Sequence, residues 1–548
     1  MLRNILRELI NKLGRWLYIM LMPFPRIRII FSKINGFLKI YRNPQNIVAP
    51  QKSRTNTYQK LQIKDNIRYT RQMNIAMIVD EFTYNSFRFE CNALPLEPTN
   101  WRETFESNNI DIFFCESAFS GVDSIKRPWK GRIYASINFP NENRGILLEI
   151  LTYCKNNKIP TVFWNKEDPA HYEDRVHDFV KTALLFDHIF TTSSECVERY
   201  KREYGHNSVF LLMFATQPRL FNPIEKFERT DEIIFAGSWY RQHTERSEEM
   251  EKIIDSIIQS SYPLKIYDRQ SNNDDPNHIF PEKYKSCIHP RLPHDSLDIA
   301  YKSSKYALNI NTVTDSDTMF ARRVFELMSS NTLVLSNYSK GMEQLFDTGV
   351  VFLDGKSIPD LDLESEKRDK CLYMVLSYHT YQRRFEQILR NVGILYNKAQ
   401  KNIAIIYQVS NCLEVDKFIT HYNRINWPNK HCFIFLNETF PLYEIQDIVT
   451  KYNRGKITVH TSHYNNLYKI DTIKYNDYEY YITATYELEY LFIFKALLHY
   501  SYLDSHTAII QTSNINEKYK FTNSKPKNNM LIHTELHNTD DLLIVYNI

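Results

Sequence analysis

The stretch DTMFARRVFELMSSNTLVLSNYSKGMEQLF, Asp317–Phe346, decides how the rest of this chain is read. Thr318 opens a helix that carries Arg322 and Arg323 in its first turn and Glu326 one turn later. A short turn, the apolar strand Thr332–Ser336 and a second helix follow. Backbone N–H groups at a helix start, with two guanidinium forks beside them, suit a diphosphate. A carboxylate one turn on suits both hydroxyls of a ribose. Successive helix residues point about 100° apart, so one arginine is expected on phosphate and the other in a structural role.

Outward from this segment, apolar β-type runs alternate with helical stretches. Upstream they are Asn74–Val79, Ile110–Cys115, Arg132–Ser136, Thr161–Trp164, His188–Thr192 and Val209–Leu212. After the Pro- and charge-containing connector Pro218–Asp231 come Glu232–Ala236, Leu264–Tyr267, Tyr306–Ile310, Thr332–Ser336 and Val350–Leu353. The alternation predicts two doubly wound α/β domains in tandem, each a parallel sheet with helices on both faces. Ligands of such sheets sit beyond the C-terminal strand ends, and two facing domains share one cleft. The second domain opens with a strand running into Gly237-Ser238 and a helix starting near Thr244. A glycine there lets backbone approach a phosphate, and Arg246 can reach the same charge.

Several stretches in order along Met73–Gly355 carry a family likeness. In the first domain they are DEFTYNSF (Asp80–Phe87), LEPTNW (Leu96–Trp101), FFCESAFSG (Phe113–Gly121), PTVFWNKEDPAHYE (Pro160–Glu173) and FATQPRLFNP (Phe214–Pro223). In the second they are FAGSWYRQHTER (Phe235–Arg246) and the run Leu308–Ser336. With these the chain resembles bacterial glycosyltransferases of the spore maturation protein CgeB type, of GT-B fold. The resemblance implies transfer from a nucleotide-activated sugar held mainly by the C-terminal half, at Gly237, Ser238, Arg246, Asn311, Arg322, Arg323 and Glu326. Related enzymes carry a Glu-x7-Glu pair whose second member holds the ribose. Glu326 matches that member, and Thr318 stands in place of the first, with Asp317 adjacent.

In the first domain the matched residues fall at strand ends. Glu116, Asp168 and His171 are the candidates for taking a proton from an acceptor hydroxyl. Lys166 is expected to steady charge on the leaving diphosphate, with Asn165 beside it. Each has a structural alternative: Glu116 bonding loop backbone, Asp168 capping a helix near Pro169, His171 an exposed helix residue. The scheme requires no metal and no cofactor, because arginines and a helix start supply the positive field. The substrates implied are a nucleotide sugar and a glycan or envelope-polymer acceptor. The alternative is a catalytically inactive scaffold or interaction protein of the same fold, motivated by the missing first Glu.

Glu364–Lys398 reads as helical and is expected to fold back and close the second domain. From Lys401 a new β-α series begins, similar to the start of a GT-A glycosyltransferase domain. Its stretch Tyr480–Tyr490 keeps only Glu487 and Glu489 where an acidic metal-binding cluster is expected, so the region is read as a degenerate module for packing, dimerisation or acceptor binding.

A length of 548 residues fits three or four domains. The organisation expected is an arm and linker over 1–72, α/β domains over 73–217 and 218–400, and the degenerate module over 401–548. The net charge of +4 hides an asymmetry: Met1–Met73 holds fifteen Lys or Arg against Glu8 and Asp65. Leu2, Ile5, Leu6, Leu9, Ile10, Leu13, Trp16, Leu17 and Met20 form one stripe of a basic amphipathic helix, ended by Pro23 and Pro25. Such a helix lies on an anionic membrane surface, here through residues 1–42, or packs on the protein or a sister chain as a homo-oligomer contact. Nucleic acid is not expected, since no recognition motif accompanies the charge. The eight Cys form no C-x-x-C pair, against zinc and disulfide frameworks and for a reducing cytosol. Trp16–Pro25 has no small-residue cleavage site after it and is too short to span a bilayer. A cytoplasmic protein, peripheral on the inner membrane face, is expected.

Overall fold

In the first sheet, β4 (Thr161–Asn165) is buried at every residue, as a strand covered on both faces must be. Its neighbours are β1 (Asn74–Ile78), β2 (Asn92–Pro95), β3 (Ile112–Glu116), β5 (His188–Thr191) and β6 (Val209–Leu211). All pair in parallel, in the order β2-β1-β3-β4-β5-β6. The computed structural model describes residues 67–548 except 273–274, 294–295, 365, 399–400, 438, 462–476 and 537–542. The chain divides into two units, 1–66 and 67–548. The amphipathic stripe of the arm lies outside the described residues.

A second parallel sheet follows, built from β7 (Thr230–Gly237), β8 (Leu264–Asp268), β9 (Ile288–His289), β10 (Ser304–Asn309), β11 (Leu333–Ser336) and β12 (Val351–Phe352). Its order is β12-β11-β10-β7-β8-β9. Counted within the sheet, this is the Rossmann order 3-2-1-4-5-6, whose crevice opens where the order reverses, between β7 and β10. The two lobes are therefore α/β units of parallel, Rossmann-like sheets. Each fully buried aliphatic side chain in such a sheet contributes roughly 1.5–3 kcal/mol, and β11 is buried at all four positions.

Three expectations are corrected. Arg132–Ser136 is irregular, touching the fold through an isolated Ala135–Asp178 bridge. The position beside β3 is already filled by β4, so Ile133 enters the apolar core from a loop instead. The strand Asn92–Pro95 was not read from sequence because it lacks alternation and ends in proline, which an edge strand tolerates. The helical stretch after Glu364 is two helices, Glu366–Tyr378 and Tyr381–Val392. The second closes the first lobe, not the second: Tyr381 and Phe385 pack on Phe87, and Arg384 donates to the Met213 and Phe214 carbonyls. Burial pushes the Arg384 guanidinium down to about 10.

The third sheet runs β15 (Ile457–Thr461), β14 (Lys430–Leu436), β13 (Ile403–Val409), β16 (Tyr480–Thr483), β19 (Met530–His533), β17 (Thr507–Ile510), β20 (Leu543–Asn547) and β18 (Phe521–Ser524). The first four are parallel, and β19 is antiparallel to both its neighbours. This lobe packs on the helix Glu366–Tyr378, where Tyr519 donates to Asp369 at 2.9 Å and Tyr373 meets the His499 ring edge-on. All eight cysteines are free thiols. Among the described residues no helix is long and apolar enough to cross a membrane.

Candidate active site

The helix expected to open at Thr318 begins at Arg323 and ends at Ser329. Residues before it serve another purpose. The Thr318 hydroxyl accepts from Ser194 N and donates to Thr192 O, both at 2.9 Å. Glu195 takes Asp317 N at 2.6 Å and Ser316 Oγ at 3.1 Å. Hydroxyl and carboxylate bonds of this kind hold loops in place of helix, and here they tie the second lobe to the end of β5 in the first. Thr318 is a clamp between lobes, and a seven-residue helix offers no phosphate cradle at that point. Gly341 permits the clamp, since a Cβ there would fall 2.9 Å from the Asp317 carbonyl oxygen.

Arg322 and Arg323 do diverge. Arg322 turns to the first lobe, its guanidinium 4.0 Å from the Phe82 ring centroid and its Nε 3.2 Å from Glu326. Glu326 is 4% exposed, and its other oxygen accepts from the Tyr301 hydroxyl at 3.3 Å. Both oxygens are thus engaged inside the protein, so the expected ribose ligand is instead the carboxylate that positions Arg322. Arg323 turns to the crevice, 5.2 Å from the Phe235 centroid, with Nη1 3.4 Å from Asn309 Oδ1. Asn311, expected to bind ligand, is buried beneath: its Oδ1 accepts from Ala321 N at 3.0 Å and its amide faces Ser336 and Asn337. It fixes the loop leading to the arginines.

Arg246 and Arg269 join Arg323 at the C-terminal ends of β7, β8 and β10. Arg246 donates to Ser238 O at 3.3 Å and lies 5.1 Å from the Tyr240 centroid; Arg269 donates to the Tyr240 hydroxyl. None of the three makes an ion pair among the described residues, while Asp268 and Glu326 lie within electrostatic range of Arg269 and Arg323 respectively. Burial, then the charges of Arg323 and Arg269, push Arg246 down to about 10 against the opposing pull of Tyr240. The buried Ser238 hydroxyl has no hydrogen-bond partner among the described residues. Gly237 has a packing reason, since a Cβ there would fall 2.3 Å from the Phe235 ring. Sequence reading missed Arg269, which follows β8 with no motif around it.

On the first-lobe side, Glu116 is fully buried and accepts from Asp80 N at 2.7 Å, Thr83 Oγ1 at 2.5 Å and Lys166 Nζ at 2.9 Å. A carboxylate enclosed by three donors is no acceptor base. Burial raises its carboxyl, and Lys166 opposes that rise. Burial lowers the Lys166 ammonium, but Glu116 and Asp80 outweigh it and hold the ammonium above its usual range. With Asp80 at 3.5 Å, Lys166 is already neutralised and brings no free charge to a diphosphate. Asp168 also turns inward, accepting from Asn165 Nδ2 at 2.8 Å and Thr191 Oγ1 at 2.7 Å; burial lifts it to about 7. Asn165 further donates to the Tyr200 hydroxyl at 3.0 Å. Asn165 and Asp168 therefore brace the β4–β5 corner rather than meet substrate.

His171 remains accessible, its side chain 42% exposed and its Nδ1 3.2 Å from Asp174 Oδ2. Asp174, missed in the sequence, is held down at about 2 by backbone N–H groups of Val176 and His177 and by both histidines, against a desolvation that raises it. His171 lies within electrostatic range of His243 in the second lobe; burial, Arg246 and His171 together lower His243. Glu487 and Glu489 gather no third carboxylate: no group of three or more His, Cys, Asp or Glu suited to a metal occurs among the described residues.

Residues 251–390 match a family model described as glycosyl transferase-like. No curated protein matches the chain. Among solved structures, a glycosyltransferase from Rickettsia africae ESF-5 aligns with a TM-score of 0.37 at 10% identity, over 60% of this chain and 100% of that one. An alpha-glucosyltransferase in complex with UDP and a mismatched DNA aligns with a TM-score of 0.39 at 12% identity, over 60% and 100%. TarM aligns at 0.31 and 11%, over 51% and 54%. The family match contains β10, Arg322, Arg323 and Glu326, so this region of the chain is similar to the glycosyl transferase-like family.

Proposed function

We propose that the chain moves a glycosyl group from a nucleoside-diphosphate sugar, held in the β7–β10 crevice, to a hydroxyl presented by the first lobe. The observation that carries this reading is the convergence of Arg246, Arg269 and Arg323, which make no ion pair among the described residues, beside a Ser238 hydroxyl that has no hydrogen-bond partner there. Like charges gathered in a partly buried crevice are destabilising until an anion arrives, and guanidinium forks suit phosphate oxygens. The sugar C1–O bond to the diphosphate breaks, a bond from the acceptor oxygen to C1 forms, and the acceptor proton passes to His171, oriented by Asp174. The arginines take up the charge of the leaving diphosphate, so the reaction is proposed to need no metal. Glu326 acts by holding Arg322 against Phe82.

The finer expectations stand as part of the proposal. These are CgeB-type specificity, an envelope or spore-surface acceptor, and a GT-A-like third lobe kept for packing. They also include a cytoplasmic location with the basic arm on the membrane face. The test is thermal-shift titration with UDP, GDP, dTDP and ADP, with and without EDTA. Stabilisation by one of them that survives EDTA and is lost in Arg246→Gln supports the reading. No response to any nucleotide would overturn it.

A further inference from the structure

A second cationic feature lies at the opposite end of the first sheet. Arg71, Gln72 and Asn74 lead into β1, and Asn92 starts β2, so this site is at the N-terminal strand ends, away from the crevice. There Arg71, Arg88 and Arg219 line an open cavity of about 440 Å³ with Phe89 as its apolar wall. The Arg88 and Arg219 guanidiniums lie 4.9 and 5.6 Å from the Phe89 centroid. A ring face attracts a cation, and here one ring gathers two. No lining residue is acidic, and among the described residues no salt bridge or side-chain hydrogen bond involves these three guanidiniums. Glu90 is buried behind the wall and accepts from Gln217 Nε2 at 2.9 Å, and Asp111 accepts from the Asn74 backbone N–H at 2.8 Å. The Glu90 carboxyl faces the charges of Arg71 and Arg219, and burial raises it from its ordinary value against them. Burial first, then Arg71, lowers Arg219, with Glu90 opposing. The Gln72 Oε1 accepts from Tyr69 N at 3.0 Å.

We propose that this cavity is a phosphate-binding site, separate from the crevice, that takes a phosphomonoester or phosphodiester between the forks of Arg71, Arg88 and Arg219. Three convergent forks with an apolar wall match a tetrahedral anion carried on a carbon chain, and parallel N–H pairs select phosphate oxygens over a point anion. The same chemistry occurs in a lipid headgroup and in a soluble phosphoester.

Isothermal titration of the full chain with inorganic phosphate, at fixed ionic strength, tests the site. The triple variant Arg71→Gln, Arg88→Gln, Arg219→Gln is expected to lose at least tenfold in phosphate affinity while keeping its response to nucleotide. The crevice variant Arg246→Gln with Arg323→Gln is expected to show the reverse. Should the triple variant not fold, Arg219→Gln alone is expected to weaken phosphate at least threefold, and Arg219→Lys to restore part of it. Flotation with phosphatidylcholine vesicles, with and without phosphatidylglycerol, separates the sources, since the basic arm is common to all variants. Loss of both phosphate and anionic-vesicle binding assigns a lipid headgroup; loss of phosphate binding alone assigns a soluble phosphoester. Equal phosphate affinity in the triple variant and the unaltered chain overturns the site.

Discussion

Lys166 in the first lobe and Arg246 in the second are both largely buried cations at strand ends, yet their surroundings are opposite. Lys166 carries its own counter-ions, Glu116 at 2.9 Å and Asp80 at 3.5 Å. Arg246 faces two further arginines and, among the described residues, no carboxylate within ion-pair distance. A buried charge that is paired and hydrogen-bonded is part of the fold, and removing its partner is costly. A buried charge left among like charges is held by the rest of the fold at some cost, and only an external anion relieves it. The first lobe thus pairs its buried cation within the fold, whereas the arginines of the second make no ion pair among the described residues.

The largest effect expected is on stability. Glu116→Ala leaves Lys166 with Asp80 alone, and breaking a buried pair costs about 3–5 kcal/mol, measured by urea denaturation. A loss below about 1 kcal/mol would mean that the Lys166 pair behaves like a surface one, and the contrast between lobes would fall. Next, Arg246→Gln and Arg323→Gln should each weaken nucleoside-diphosphate binding roughly ten- to a hundredfold, as removal of a charged hydrogen bond does. Their melting temperatures should hold or rise, the opposite sign to Glu116→Ala. Glu326→Gln should cost less, within about tenfold in affinity, because it only loosens Arg322. A loss of a thousandfold or more would mean that the carboxylate touches the nucleotide itself.

A last contrast concerns pH. The Asp168 carboxyl titrates near 7 in the folded chain against 3.8 for its ordinary value. Between those values the folded state binds more proton than the unfolded one, so this group's stabilisation is present at low pH and is lost as pH rises towards 7. Asp168→Asn should flatten the fall of melting temperature over that window, measured by thermal melts at stepped pH. An unchanged slope would show that Asp168 does not titrate there.

The alternation of apolar runs with helical stretches was enough to read two parallel α/β lobes and nearly every central strand, because a strand buried on both faces must be apolar throughout, as β4 and β11 are. The glycine-serine turn after β7 and the paired arginines were also legible, since charge and turn chemistry are local properties. Spacing alone did not tell which of those charges was free. Glu116, Asp168 and Lys166 look like catalytic groups in a sequence, but their neighbours Thr83, Thr191 and Asp80 come from other elements of the fold and turn them inward. Arg269 had no motif, and only the pairing of β7 with β8 brings it to the crevice. Composition and periodicity determined the lobes because burial of apolar surface acts through local pattern. Tertiary structure decided the site, because whether a charged side chain is spent on the fold or left for a ligand depends on partners many residues away.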